Sequence, residues 1–361
     1  MTDLIKFASP NALRTLFGQQ RIMNSTCNNI DFNSDRIFFC ILYGFIFCIG
    51  IPINCLALFG LYRLVKSENG LPVYVINLLL SDILQIFTLP LWVDYYKNGH
   101  VWRFQQVTCA IFGVLLHISL FGNVGFLSLI AVERYIAIAH PLWYKNYRRL
   151  SNACILCLVL WFLFTGVSLL VWYFIECNSK DHLCFESYPA TNTFSILCLS
   201  MVVFWFPLPL ALLIFIYIRI EKILRGSQSV PDENKKKIKH LLFTIVLIFI
   251  LVYGPFCTTA FIRYVGLLIV SDKCQHESKM FYAYRYTFAF LSVTSLLDPV
   301  FYILISKDIH KELQELCPFI FRRFSPTMKT SIFADNFTHT KKQSSPLQSY
   351  SLSHSPYQEK P

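Results

Sequence analysis

A bundle of seven membrane-crossing helices is the fold class the sequence predicts, and three observations predict it. Hydrophobic residues make up 55% of the 361 and charged residues only 15%, too few to cover the core of a water-soluble protein. Seven apolar runs reach the length, about 20 residues, that a helix needs to cross roughly 30 Å of hydrocarbon. Lysines and arginines gather in alternate connections between those runs. Only helices or closed barrels satisfy the backbone within lipid, and the runs are too long and too uniformly apolar for barrel strands. The formal charge of +11 lies largely in the connections, where anionic membrane lipid accounts for it without nucleic acid as a partner.

In chain order, residues 1–36 form a polar tail without the apolar core or small-residue cleavage site of a secretory signal, so the first span is expected to act as signal anchor and leave the tail extracellular. Asn24 opens the glycosylation sequon Asn24-Ser25-Thr26, which is usable only on that side. The spans run Ile37 to Tyr62, Val73 to Tyr96, Val107 to Ile138, Ala153 to Ile175, Phe194 to Ile220, Leu241 to Leu268 and Phe281 to Ile305. An outer amino terminus and seven spans leave the carboxyl terminus inside. Connections one, three and five agree, carrying Arg63 and Lys66, then Lys145, Arg148 and Arg149, then Arg225, Lys235 to Lys237 and Lys239. After the core at 37–305 come a short amphipathic eighth helix at 306–317 and a disordered cytoplasmic tail at 318–361. The tail hydroxyls are either phosphorylation sites or simply solvated.

Polar groups inside the spans are costly in lipid and point to the bundle interior. Asn54, Asp82, Asn123 and Asp298 are the candidates for one hydrated cluster that holds a cation, such as sodium at Asp82, or shares a proton. For the two asparagines, packing glue between helices is an equal reading. Pro90, Pro207, Pro209, Pro255 and Pro299 each remove a backbone hydrogen bond and permit a kink. Of the thirteen cysteines, Cys40, Cys48, Cys55, Cys154, Cys157, Cys198 and Cys257 fall in apolar runs and are expected to be buried thiols. Cys109 and Cys184 can pair outside, as can Cys27 and Cys274; Cys177 is left over. Cys317 is either a palmitoylation site or a free thiol. Glu133-Arg134-Tyr135 closes the third span as either a basic anchor or a switch in which Glu133 neutralises Arg134 at rest.

Together these residues resemble the rhodopsin-like G-protein-coupled receptors, from about Cys27 to Cys317. Asn54, Leu78-Leu79-Leu80-Ser81-Asp82, Cys109, Glu133-Arg134-Tyr135, Trp161, Pro209 with Tyr217, Pro255 and Asp298-Pro299-Val300-Phe301-Tyr302 follow that family's order, one set per helix. The resemblance implies a plasma-membrane receptor that senses a ligand outside and drives a heterotrimeric G protein inside, with Arg134, Tyr217 and Tyr302 rearranging as the sixth helix opens. Arrestin and receptor kinases are implied partners of the tail. Lys235 stands where some members place an acidic partner for Arg134, and Tyr253 replaces a common toggle tryptophan.

The outer half is most similar to the proton-sensing and lysophospholipid receptors, through Thr26-Cys27-Asn28-Asn29, Leu89 to Tyr95, Cys184-Phe185-Glu186 and Cys274. Proton sensing would use His100, His182 and His276, since histidine titrates near pH 6.5; solvated loop histidines are the equal alternative. The chain departs from that group with Cys257 and Arg285 where histidines are expected and Phe164 where an acid is expected, which counts against acid sensing. Arg285 with Arg263, Lys279 and His117 can instead form a cationic mouth for an anionic lysolipid, oxidised fatty acid or nucleotide, unless Arg285 merely snorkels to water. A channel or transporter is disfavoured by the missing filter-like loop and repeat. No metal-ligand or nucleophile spacing suggests an enzyme, and no cofactor is expected.

Overall fold

The computed structural model describes Cys27 and residues 30–65, 71–147, 150–176, 183–226 and 231–305. Among these it is helical, with α1 Arg36–Val65, α2 Leu71–Lys97, α3 Gln106–Ala139, the short α4 Pro141–Tyr147 and α5 Leu150–Glu176. The fifth span is divided into α6 Asn192–Trp205 and α7 Pro207–Gly226. Neither Pro207 nor Pro209 can donate to the ladder, so the helix cannot continue unbroken through Phe206. The sixth is α8 Asp232–Ile248, a π turn Phe249–Tyr253 and α9 Gly254–Ile269, the turn falling just ahead of Pro255.

Among the described residues, six runs are long and apolar enough to cross a membrane. The seventh departs from expectation: α10 Lys273–Phe290 starts eight residues before Phe281 and is joined by a 3₁₀ turn, Leu291–Val293, to α11 Thr294–Ile305. Its first half is polar: Lys273, Gln275 and Lys279 lie in it, the last two exposed, while the charges of Glu277 and Arg285 are paired inside the protein. The predicted eighth helix, the tail, Asn24, Cys177, His182 and Cys317 lie outside the described residues, as does the side chain of Tyr302.

Helices α1, α2 and α11 pack together, α3 lies against α2, α5 and α7, and α9 lies against α6 and α10. Large apolar side chains such as Phe162, 78% exposed, cover the outside of the bundle, as expected when hydrocarbon is the solvent. The same surface corrects the cysteine expectation: Cys157 is buried, but Cys48, Cys55 and Cys154 are exposed on it, since a small apolar thiol is tolerated in lipid as well as in a core.

Polar side chains join the helices inside. Asn54 Nδ2 donates to the Ser295 carbonyl at 2.7 Å, Ser81 Oγ to Asn123 Oδ1 at 2.6 Å, Asn123 Nδ2 to Thr294 Oγ1 at 3.2 Å and Gln85 Nε2 to Ser292 Oγ at 3.1 Å. Asp82 and Asp298 are buried beside them, and among the described residues neither oxygen of Asp82 nor Oδ2 of Asp298 has a hydrogen-bond partner. Trp161 Nε1 ties α5 to α2 through Asn77 Oδ1 at 2.8 Å.

Candidate functional site

At the face of the bundle nearest the amino terminus, four titratable groups, Asp35, His100, Glu186 and Arg285, meet largely out of solvent. Helix α2 ends in a Schellman turn: Gly99, at φ +67°, donates to the Tyr96 carbonyl at 3.0 Å and His100 donates to that of Tyr95 at 3.0 Å. His100 itself adopts the left-handed conformation, φ +62°, a placement that costs energy for a residue with a Cβ and persists only where its surroundings hold it. They do hold it. His100 Nδ1 lies 3.1 Å from Glu186 Oε2 and Nε2 lies 3.2 Å from Asp35 Oδ1.

Asp35 precedes α1 and so reads in sequence as an ordinary helix cap, yet its side chain turns inward. Its second oxygen accepts from Arg285 Nε at 3.0 Å, and Arg285 Nη1 reaches Glu186 Oε1. Tyr95 donates its hydroxyl to Glu186 Oε2 at 3.0 Å. Asp35, His100 and Arg285 are 0%, 1% and 4% exposed, so these charges interact with little water to screen them. The Arg285 guanidinium lies about 5 Å from the ring centres of Phe39, Tyr96 and Phe281. Burial alone would push His100 below its ordinary value; the Glu186 and Asp35 carboxylates outweigh it and hold the pKa above 6.5. Burial would likewise raise Glu186, but the charges of Arg285 and His100 hold it at about 2.

The amino-terminal segment covers the cluster. A disulfide joins Cys27 to Cys274, the Asp31 carbonyl accepts from the Tyr282 hydroxyl, and the Phe32 ring sits 4.9 Å from His100 and 5.4 Å from Phe281. A second disulfide, Cys109 to Cys184, fixes the loop that carries Glu186 to the start of α3. That loop folds over Gly113, where a Cβ would lie 1.9 Å from the ring of Phe185, so only glycine admits the roof.

Beneath the roof is a cavity of about 180 Å³ lined by aromatic and aliphatic side chains, with Arg263, Arg285 and His117 in its wall. Of the residues expected to form a cationic mouth, Arg263, Arg285 and His117 do line the cavity, with both arginines paired to carboxylates. Arg263 gives Nε and Nη2 to Glu277 at 2.8 and 3.0 Å, and Arg285 is held by Asp35 and Glu186. Both guanidiniums are paired because an isolated charge at these depths would be too costly. His117 Nδ1 lies 2.9 Å from the Gly113 carbonyl and His276 Nε2 lies 3.1 Å from that of Arg263, backbone partners where His100 has two carboxylates. Lys279 does not line the cavity.

Asp35 and Glu277 were not candidates on sequence grounds. A lone acid before a span and another in a polar loop carry no periodic signal; only the third dimension sets them opposite Arg285 and Arg263. At the far end of α3, Glu133 Oε1 accepts from the Tyr144 hydroxyl of α4 at 2.8 Å, which makes this tyrosine a partner the sequence did not suggest. The Tyr135 ring lies 6.3 Å from Phe215, and that of Tyr217 lies 6.3 Å from Phe243, linking α3 to α7 and α7 to α8.

Comparison with known proteins gives a match to the family described as 7 transmembrane receptor (rhodopsin family) over residues 53–302. Human G-protein coupled receptor 68 is 30% identical over 279 residues, 76% of this chain and 75% of its own length. Human G-protein coupled receptor 65 is 29% identical over 82% of this chain and 91% of its own length. Human C-C chemokine receptor type 1 is 28% identical over 76% and 78% respectively.

Proposed function

This chain belongs to the rhodopsin family of seven-transmembrane receptors, and from that premise we propose that it reports extracellular acidity to a heterotrimeric G protein, with His100 taking up the proton. One observation carries the reading: each ring nitrogen of His100 faces a carboxylate oxygen. A neutral imidazole has a single N–H, so one of its nitrogens would present a lone pair to an acceptor; the imidazolium donates to both. Two carboxylates therefore ask for two cations, and Arg285 supplies only one. Protonation of His100 supplies the second.

The orientation belongs to the same proposal, with residues 1–36 and the cluster outside and Arg134 inside. The joined state ties the start of α1, the loop after α2, the loop ahead of α6 and the middle of α10 to one another. Through the 3₁₀ turn, α10 continues into α11, where Asp298 and Tyr302 reside. Movement of that run is a route from the proton to the polar cluster of Asn54, Asp82, Asn123 and Asp298, a candidate sodium site, and on to Arg134, Tyr135 and Tyr217 at the G-protein end. Phosphorylation of the tail by receptor kinases and its capture by arrestin complete the proposed partners.

The competing reading, a small anionic ligand held by Arg263 and Arg285 without proton sensing, is less well supported, since both arginines already have carboxylate partners. The test is G-protein activation in cells stepped from about pH 8 to 6, the range over which histidine changes charge. Signal is expected to rise with acid and to lose its pH dependence in His100→Gln. A response that stays flat, or one that His100→Gln leaves intact, rejects the reading.

A further inference from the structure

We propose that the aromatic cavity takes an uncharged lipid, an apolar chain carrying a hydrogen-bond-accepting oxygen, and that it discriminates against the matching carboxylate. The proposal rests on the pairing of Arg285 that underlies the acid-sensing reading. Charge is the first argument. Around the cavity roof Asp35, Glu186 and Glu277 face Arg263 and Arg285, three carboxylates against two guanidiniums, with His100 making the balance only when protonated. An entering anion would add a fourth negative charge to a buried group that is already balanced or negative, and would lose its own hydration in doing so. An amine finds no vacant acid either. The Glu186 oxygens are taken by Tyr95, His100 and Arg285, and those of Glu277 by Arg263 and the Ala190 N–H.

Hydrogen bonding is the second argument. Trp92 Nε1, Trp205 Nε1 and Arg285 Nη2 are buried without a hydrogen-bond partner among the described residues, and all three residues line the cavity. Trp92 is 3% exposed and Arg285 4%. An indole can only donate, and a buried donor left unmet is costly. A neutral oxygen satisfies such donors without importing charge.

Shape and access are the third. Most of the lining is apolar, including Leu116, Phe121, Val171, Phe256 and Phe288. A volume of about 180 Å³ holds on the order of a dozen water-sized groups at about 10–15 Å³ each, which suits a chain of medium length. Val124 and Trp205 are also walls of a second hollow, bounded by Leu163 and Leu208 on the lipid-facing surface of α5 and α7. A layer of side chains that includes Val124 and Trp205 thus stands between the cavity and the lipid face, and a ligand drawn from the bilayer would enter across it.

The test uses the purified full-length receptor in lipid nanodiscs at pH 7.4, with a photoreactive 12-carbon alcohol as probe and dodecan-1-ol or dodecanoate as competitor. The alcohol is expected to displace the probe at a concentration at least about 10-fold lower than dodecanoate, whose charge must be buried. Trp205→Phe and Trp92→Phe keep an aromatic wall but remove the N–H, and loss in either variant is expected to weaken alcohol binding roughly 2- to 12-fold, the worth of one hydrogen bond. Thermal unfolding confirms that each variant is folded. Equal or better displacement by dodecanoate, labelling that does not saturate, or full affinity in both variants overturns the proposal. Binding is read without G protein or pH change, so its failure is distinct from a failure of acid sensing, which the cellular response reports.

Discussion

At the scale of single residues, the proposed response to acid turns on His100 and the two carboxylates that face it. A group whose pKa is raised on folding lends stability that is complete below its unfolded value, about 6.5, and is lost as pH rises through the higher folded value. The purified receptor is accordingly expected to melt at a higher temperature at pH 6 than at pH 8, and His100→Gln is expected to level that difference in a thermal-shift measurement. Glu186, held at about 2, stays ionised across this whole range and therefore contributes no slope of its own. Removing its charge acts through the histidine instead. In Glu186→Gln the imidazolium loses one of its two partners, its pKa falls, and the midpoint of the acid response should move to lower pH by several tenths of a unit or more; an unmoved midpoint would show that Glu186 does not face the sensing group. His100 was legible as a candidate because a histidine outside a span is visible in sequence. Its partner Asp35 was not, because an aspartate ahead of a helix is what capping alone would place there.

Among the elements, the segment ahead of α1 matters as much as any helix. It brings Phe32 and Asp35 onto His100, and its hold on α10 is the Cys27–Cys274 disulfide with the Tyr282 hydrogen bond to Asp31. Replacing Cys27 and Cys274 together by serine should free this segment, admit water to the cluster and lower the acid potency while leaving cell-surface receptor detectable by antibody. Unchanged potency at equal surface level would make the tether irrelevant to sensing. The helices themselves were largely foreseen, since a run of about 20 apolar residues has few alternatives in lipid. The breaks fall where the prolines predict kinks: the division at Phe206 meets Pro207 and Pro209, and the π turn at Phe249–Tyr253 precedes Pro255. The early start of α10 is the departure, its first turn capped by Asp272 and its Glu277 brought inside by Arg263.

Across the whole molecule, ion pairs between separate helices and loops close the amino-terminal face. Arg263 of α9 and Glu277 of α10 form one such pair, which also reaches the loop at Ala190; their side chains are 5% and 0% exposed. Breaking it by Glu277→Gln leaves a guanidinium buried without its counterion and should destabilise the receptor by about 3–5 kcal/mol. A double replacement, Arg263→Met with Glu277→Met, removes both charges and should cost distinctly less, because a well-packed apolar pair replaces a balanced one at little expense. Chemical unfolding of the detergent-solubilised receptor measures both, and a double variant as unstable as the single would show that packing of Arg263 over the Tyr284 ring, 4.3 Å from its centre, rather than the stranded charge, sets the cost.

The sequence by itself determined the solvent, the number of spans, their approximate limits and the family, because burial in hydrocarbon imposes length, composition and charge bias on every segment independently of its neighbours. It also offered His100, Arg263, Arg285 and Glu186 as candidates for the sensing face. Only the tertiary structure decided what those residues are to one another. Asp35 and Arg285 are 250 positions apart, and Glu186 and His100 are 86 apart. Whether an arginine is a free cation for an anionic ligand or half of an internal pair depends on which carboxylate packing brings within about 3 Å, and a buried charge takes its properties from that neighbour.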